Sequence, residues 1–134
     1  MANALYDTGR NAFLTGDIDW VADTIKAVLV DTADYAVDLA AHDFLDDVAA
    51  LSRVATGTLA SKTASAGVAD AADLTFSTVT GDISEALIIY KDSGVEGTSQ
   101  LIAYIDTATG LPVTPNGGDI VVQWDAGANR IFKL

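Results

Sequence analysis

Two stretches of the chain, residues 85–91 (EALIIYK) and 100–105 (QLIAYI), are apolar at both alternating sets of positions. Successive side chains of a strand point to opposite faces. Leu87 and Ile89 therefore oppose Ala86, Ile88 and Tyr90, and Leu101, Ala103 and Ile105 oppose Ile102 and Tyr104. A strand with one wet face would alternate apolar and polar, and neither stretch does. Both must be covered twice, either centrally in a layered fold or beneath a partner.

The rest of the chain supplies further strands and few helices. Residues 24–31 (TIKAVLVD) read as a strand with Ile25, Ala27 and Leu29 on one side and Lys26, Val28 and Val30 on the other. Residues 53–60 (RVATGTLA) form another, with Gly57 marking a bulge or twist. Residues 74–79 (LTFSTV) alternate Leu74 and Phe76 against Thr75 and Ser77, and Gly81-Asp82 is a turn. Residues 92–99 (DSGVEGTS) close a hairpin between the two apolar strands. Residues 119–124 (DIVVQW) and 130–134 (RIFKL) are expected to form a second hairpin around DAGAN. Residues 107–118, with both prolines and three glycines, form a long connection, and residues 32–41 and 61–73 read as loops.

Near the N-terminus, Leu5, Gly9, Ala12 and Phe13 share one face at helical spacing, so residues 3–15 form either a short helix ended by Gly16 or an ordered arm. Asp43 is placed as N-cap of a short turn through residues 44–48. The expected fold class is all-β, a jelly-roll-like sandwich of about seven short strands with a short N-terminal helix or arm. Residues 1–23 are the arm or helix, and residues 24–134 a single β-sandwich domain.

Charge narrows the partners. Formal net charge is -12, with seven basic residues scattered along 134 positions. Such a field repels phosphate backbones, so nucleic acid is not an expected partner. It suits solubility, or complementarity to a basic protein surface. Half the residues are hydrophobic, an excess that favours assembly over a monomer. No apolar run reaches the ~20 residues of a membrane span. The start, MANALYDTGRN, lacks the basic-then-apolar order of a signal peptide, which points to a chain made and folded in a cytoplasm. Absence of cysteine excludes disulfides and thiolate metal sites.

Catalytic equipment is not visible. His42 is the only histidine, set among Asp38, Asp43, Asp46 and Asp47. A His–carboxylate pair could do acid–base work, but the bland reading is a surface histidine in an acidic turn. Asp17, Asp19 and Asp23 give a DxDxxxD string, yet Val21, Ala22 and Val28 stand where a calcium loop needs an oxygen ligand, a glycine and a glutamate. Turn chemistry explains the string better. No serine lies in GxSxG, and no glycine run has phosphate-loop spacing. Trp20, Tyr90, Tyr104 and Trp124 could line a sugar pocket, though core or interface packing is the commoner role of such residues. The expectation is no enzyme: no catalytic, cofactor-binding or metal residue, and no cofactor.

Read as whole stretches, the chain resembles the capsid cement, or decoration, proteins of tailed phages, most nearly those of podoviruses such as the Bordetella tropism-switching phage. The strings that carry the likeness are residues 5–31, 55–63 (ATGTLASKT), 85–92 (EALIIYKD), 101–120 (LIAYIDTATGLPVTPNGGDI) and 129–134 (NRIFKL). The resemblance implies a jelly-roll-like virion protein on the exterior of an HK97-type capsid. It would act as a homodimer that bridges neighbouring capsomers, with the major capsid protein as partner and assembly in the bacterial cytoplasm. It brings no active-site motif. A tail or neck component and a host-surface binding module remain the competing readings. For contacts, the N-terminal residues Leu5, Tyr6, Phe13 and Trp20 are expected to meet the capsid or a neighbour. Trp124, Ile131 and Phe132 are expected to anchor the homodimer.

Overall fold

The computed structural model describes residues 4–134. It is an all-β, jelly-roll-like sandwich with one short N-terminal helix. The main sheet has five antiparallel strands: β1 (Ala4–Leu5), β2 (Ile25–Val30), β3 (Arg53–Thr58), β7 (Ala86–Lys91) and β8 (Leu101–Ile105), in the order β1-β8-β7-β2-β3. A second sheet joins β4 (Thr63–Ser65), β5 (Val68–Asp70) and β10 (Phe132–Lys133) in the order β10-β5-β4. A third pairs β6 (Leu74–Phe76) with β9 (Ile120–Val122).

The two-faced strands are central, and the chain itself covers both faces. On one side, Ile25, Ala27, Leu29, Leu87, Ile89 and Ile105 pack against Ala69, Leu74, Phe76, Ile120 and Val122 of the two smaller sheets. On the other, Val28, Val30, Ala86, Ile88, Tyr90 and Tyr104 lie under Tyr35, Leu45 and Val48 from the segment between β2 and β3. That segment has no strand of its own. Each fully buried Ile, Leu or Val stabilises the fold by roughly 1.5–3 kcal/mol relative to exposure.

One alternation differs from the sequence expectation. In β8, Leu101 pairs with Tyr90 and Ala103 with Ile89, which leaves Ile102 as an extra residue opposite the junction. This β-bulge flips the parity: Leu101 joins Tyr104 in one core, while Ile102 joins Ala103 and Ile105 in the other.

Helix α1 (Asp7–Leu14) sits on that bulge. Asp7 places a negative charge in its first turn, favourable to the helix dipole, and Gly16, at φ +79°, follows its end. A Cβ on Gly9 would lie 2.6 Å from the carbonyl oxygen of Leu101. The glycine that weakens the helix in isolation is the one that lets it reach the sheet backbone. The Tyr6 N–H donates to the carbonyl of Ile102 at 2.9 Å, and β1 pairs with β8. The helix-or-arm segment is thus both strand and helix, stitched onto the main sheet.

Three other expectations are corrected. Residues 61–73 contain a β4–β5 hairpin whose two-residue loop, Ala66-Gly67, has both φ positive. The C-terminal stretches do not form a hairpin with each other: β9 pairs with β6 and β10 with β5. After β9, the backbone N–H of Trp124 donates to Asp73 Oδ1 and its indole N–H to the carbonyl of Ala72. Those bonds carry the chain away from β9 before it could return. Finally, the turn at Leu45–Asp47 is 3-10, and Asp43 does not cap it. Instead the Asp43 N–H donates to Asp47 Oδ2 at 2.8 Å.

Candidate interaction surface

The sequence-chosen contact residues separate into two groups. Leu5, Tyr6, Trp20, Trp124 and Ile131 are buried by their own chain. Phe13 and Phe132 are half-buried and packed at the edge of the larger core. Their rings are 5.9 Å apart, and the Trp20 ring meets Phe132 edge-on at 5.2 Å. The three aromatics come from α1, the following loop and β10, so the chain's two ends meet here.

Around this trio the surface is apolar. A hollow of about 410 Å³ is bounded by Phe13, Ile18, Trp20, Val68, Phe132 and Leu134. An adjoining hollow of about 300 Å³ lies between Leu5, Phe13, Leu14 and Leu134. Leu14 is 86% exposed and Leu134 59%. Sequence reasoning missed both leucines. Leu14 looked like the end of a helix, and Leu134 like one more strand residue.

The candidate sugar contacts do not converge. Trp20 and Trp124 belong to the core facing the small sheets, whereas Tyr90 and Tyr104 belong to the opposite one. Each indole N–H is already bound to a backbone carbonyl, Trp20 to Asp70 and Trp124 to Ala72.

His42, itself half-buried, closes a relay that runs from the core. The Tyr6 hydroxyl lies 2.8 Å from that of Tyr35, which lies 2.8 Å from His42 Nδ1. The Asp38 N–H also points at Nδ1, at 3.3 Å, which makes Nδ1 an acceptor. Both hydroxyls then donate in one direction, Tyr6 to Tyr35 to His42. Burial, above all, pushes the Tyr6 phenol far above its ordinary 10.0 and the Tyr35 phenol up to about 12. This hydrogen-bonded relay pins the covering segment to the start of α1.

The acidic strings resolve into turns. Asp19 Oδ1 accepts from the N–H groups of Val21 and Ala22, and Asp23 Oδ2 from that of Asp19. Asp23 also pairs with Lys91 at 3.1 Å. Two groups of carboxylates come within 4.8 Å of one another: Asp43, Asp46 and Asp47, and, across the fold, Asp31, Asp34 and Asp82. Burial first, then the neighbouring Asp47, raises Asp43. The Asp43 N–H, before other causes, lowers Asp47.

No protein-family model matches the chain, and no curated protein matches it in sequence.

Proposed function

We propose that this chain is a phage virion structural protein that decorates and cements the outer surface of an HK97-type capsid. In this reading it works as a homodimer, contacts the major capsid protein and bridges neighbouring capsomers. It needs no cofactor and performs no catalysis. The sequence likeness to cement proteins motivates the reading. The structural observation that favours it is the gathering of Phe13, Leu14, Phe132 and Leu134 at one end of an otherwise closed sandwich. A domain whose central strands are covered by its own chain can fold before docking, and then bury one apolar end against a capsomer seam. A modest area per copy becomes a large stabilisation when repeated over a shell. The acidic surface keeps such a protein off packaged nucleic acid.

Copy number per virion tests the reading, measured by mass spectrometry against the major capsid protein. A ratio near that of the shell lattice supports cement. A handful of copies moves the chain to the neck or tail and removes the cement mechanism. A second measurement is heat resistance: particles lacking the chain should release DNA at lower temperature than complete ones.

A further inference from the structure

The distribution of cations on this acidic chain is uneven in a way the cement reading does not require. Of the seven Lys and Arg residues, four are engaged within the chain. Lys26 pairs with Asp92 at 2.9 Å, Arg53 with Glu96 at 2.5 Å and Lys91 with Asp23 at 3.1 Å, and the Lys62 ammonium donates to the carbonyl of Asp23. The other three are Arg10, Arg130 and Lys133. Among the described residues, none of their side chains has an ion pair or hydrogen bond. All three are exposed and line one shallow cleft of about 290 Å³. One carboxylate, Asp125, shares the lining, so the cleft carries a net positive charge on a chain of net -12.

The walls of the cleft are strand edges. β1 is the end strand of the five-stranded sheet, and β10 is the end strand of the three-stranded one. Residues of both line the cleft, with Leu5 and Ile131 among its apolar members. An end strand presents backbone N–H and C=O groups that another strand can pair with. The exposed Leu14 and Leu134 lie just beyond, in the hollow that shares Leu5, Arg10 and Lys133 with this cleft.

We propose that the cleft between β1 and β10 receives an extended acidic peptide segment of another protein, added as a strand against one of these edges. An extended segment alternates its side chains. One that alternates Asp or Glu with Val or Leu would turn its carboxylates to Arg10, Arg130 and Lys133 and its apolar side chains to the sandwich. Backbone pairing supplies affinity, and the alternating side chains supply selectivity. Unpaired cations beside open strand edges are what favour this occupant. A purely apolar partner would bury three cations with Asp125 as the one carboxylate in the lining. The proposal is argued from edges and charge rather than from the capsid reading, although the cleft shares Leu5, Arg10 and Lys133 with the apolar end, and peptide binding and virion copy number test the two separately.

The test uses the intact chain and a fluorescein-labelled, acetylated heptapeptide of alternating Asp and Val, followed by anisotropy. Two controls are the Lys-Val counterpart and the Asp-Val peptide with a central proline. The acidic peptide is expected to bind, weaken as salt rises from about 0.05 M to about 0.5 M, and slow amide exchange at Leu5 or Lys133. Arg130→Glu with Lys133→Glu should weaken it about tenfold or more. Arg10→Glu, on the helix, should weaken it without touching β10. Val95→Glu adds one negative charge at a remote exposed site and should leave binding unchanged. Circular dichroism identifies any variant that fails to fold, and the remaining variants then decide. Absent binding, equal binding of the lysine or proline peptide, or equal loss in Val95→Glu overturns the proposal. So does self-association, seen by sedimentation, that displaces the peptide, since the occupant would then be a second copy.

Discussion

Arg53 fastens the covering segment to the sheet. Its Nε–H donates to the carbonyl of Val48 at 2.8 Å, its Nη2 to that of Leu45 at 2.9 Å, and its Nη1 meets Glu96 at 2.5 Å. A planar five-donor fork makes these contacts together, and an ammonium cannot. Arg53→Lys is expected to lower stability by about 1–3 kcal/mol, since it takes the arginine donor from the Val48 carbonyl and one of two donors from that of Leu45. Urea denaturation checks this, and a loss no greater than that of Lys133→Ala would mean the fork is incidental. Sequence alone could not assign this role, because Glu96 lies 43 residues away and nothing in the string marks the carbonyls of Leu45 and Val48 as turned toward Arg53. In the string it is one more scattered cation. The same blindness affects Gly9, legible as a helix weakness but not as the point where the helix touches β8.

At the scale of elements, what could be read depended on whether local chemistry and tertiary context agreed. β2 and β7 fall where their alternation places them, with each apolar set in the expected core. β8 was found, but its parity was not, because a bulge leaves no mark when the inserted residue is as apolar as its neighbours. The β4–β5 hairpin was missed because its turn is Ala-Gly rather than Asn-Gly. Ala66 holds φ +52°, a left-handed conformation that costs a Cβ-bearing residue roughly 1 kcal/mol, and asparagine tolerates it better. Ala66→Asn should therefore stabilise the fold by about 0.5–1 kcal/mol. Thermal unfolding tests it, and a lowered midpoint would show that the turn conformation is not limiting. β9 and β10 looked like a hairpin because strand strings and a Gly-bearing linker sat in the right order. Bonds from Trp124 to residues 72 and 73, invisible in sequence, sent them to different partners.

For the whole molecule, the main consequence is that both faces of the central strands are buried without help. Ile88 and Ile89 point to opposite cores and are both fully buried. Ile88→Ala and Ile89→Ala should each cost about 2–5 kcal/mol in the isolated chain. Were one face covered only by a partner, that variant alone would be nearly neutral. The layered fold was legible from this doubled apolarity. The apolar end was legible only in part: Phe13 and Phe132 were chosen, but Leu5, Tyr6, Trp20, Trp124 and Ile131 were chosen with them. Aromatic and aliphatic residues serve core and surface alike until the topology decides. Stability should also follow pH. Asp23, held mainly by the Asp19 N–H and then by Lys91, and Asp92, held mainly by Lys26, lie below the ordinary 3.8. The folded state thus binds fewer protons than the unfolded one, so this stabilisation is complete above pH 3.8 and fades as pH falls through the lowered values. Asp43, raised by burial, works the other way. Denaturation midpoints should hold steady near neutrality and decline below about pH 4. A rise on acidification would mean that Asp43 and relief of the net charge outweigh the held carboxylates.

The pairing of Ala4 with Tyr104 has a consequence for how the fold is reached. β1 has no strand to join until β8 has left the ribosome, whereas β5 can pair with β4 at once and receives β10 only later. Helix α1 can form early but has no sheet to dock on. Contacts this distant along the chain carry a loop-closure cost before any packing offsets it. Assembly of the sandwich therefore waits for β8 and β10. Until it completes, the nascent chain exposes two of its most apolar strands without their cover.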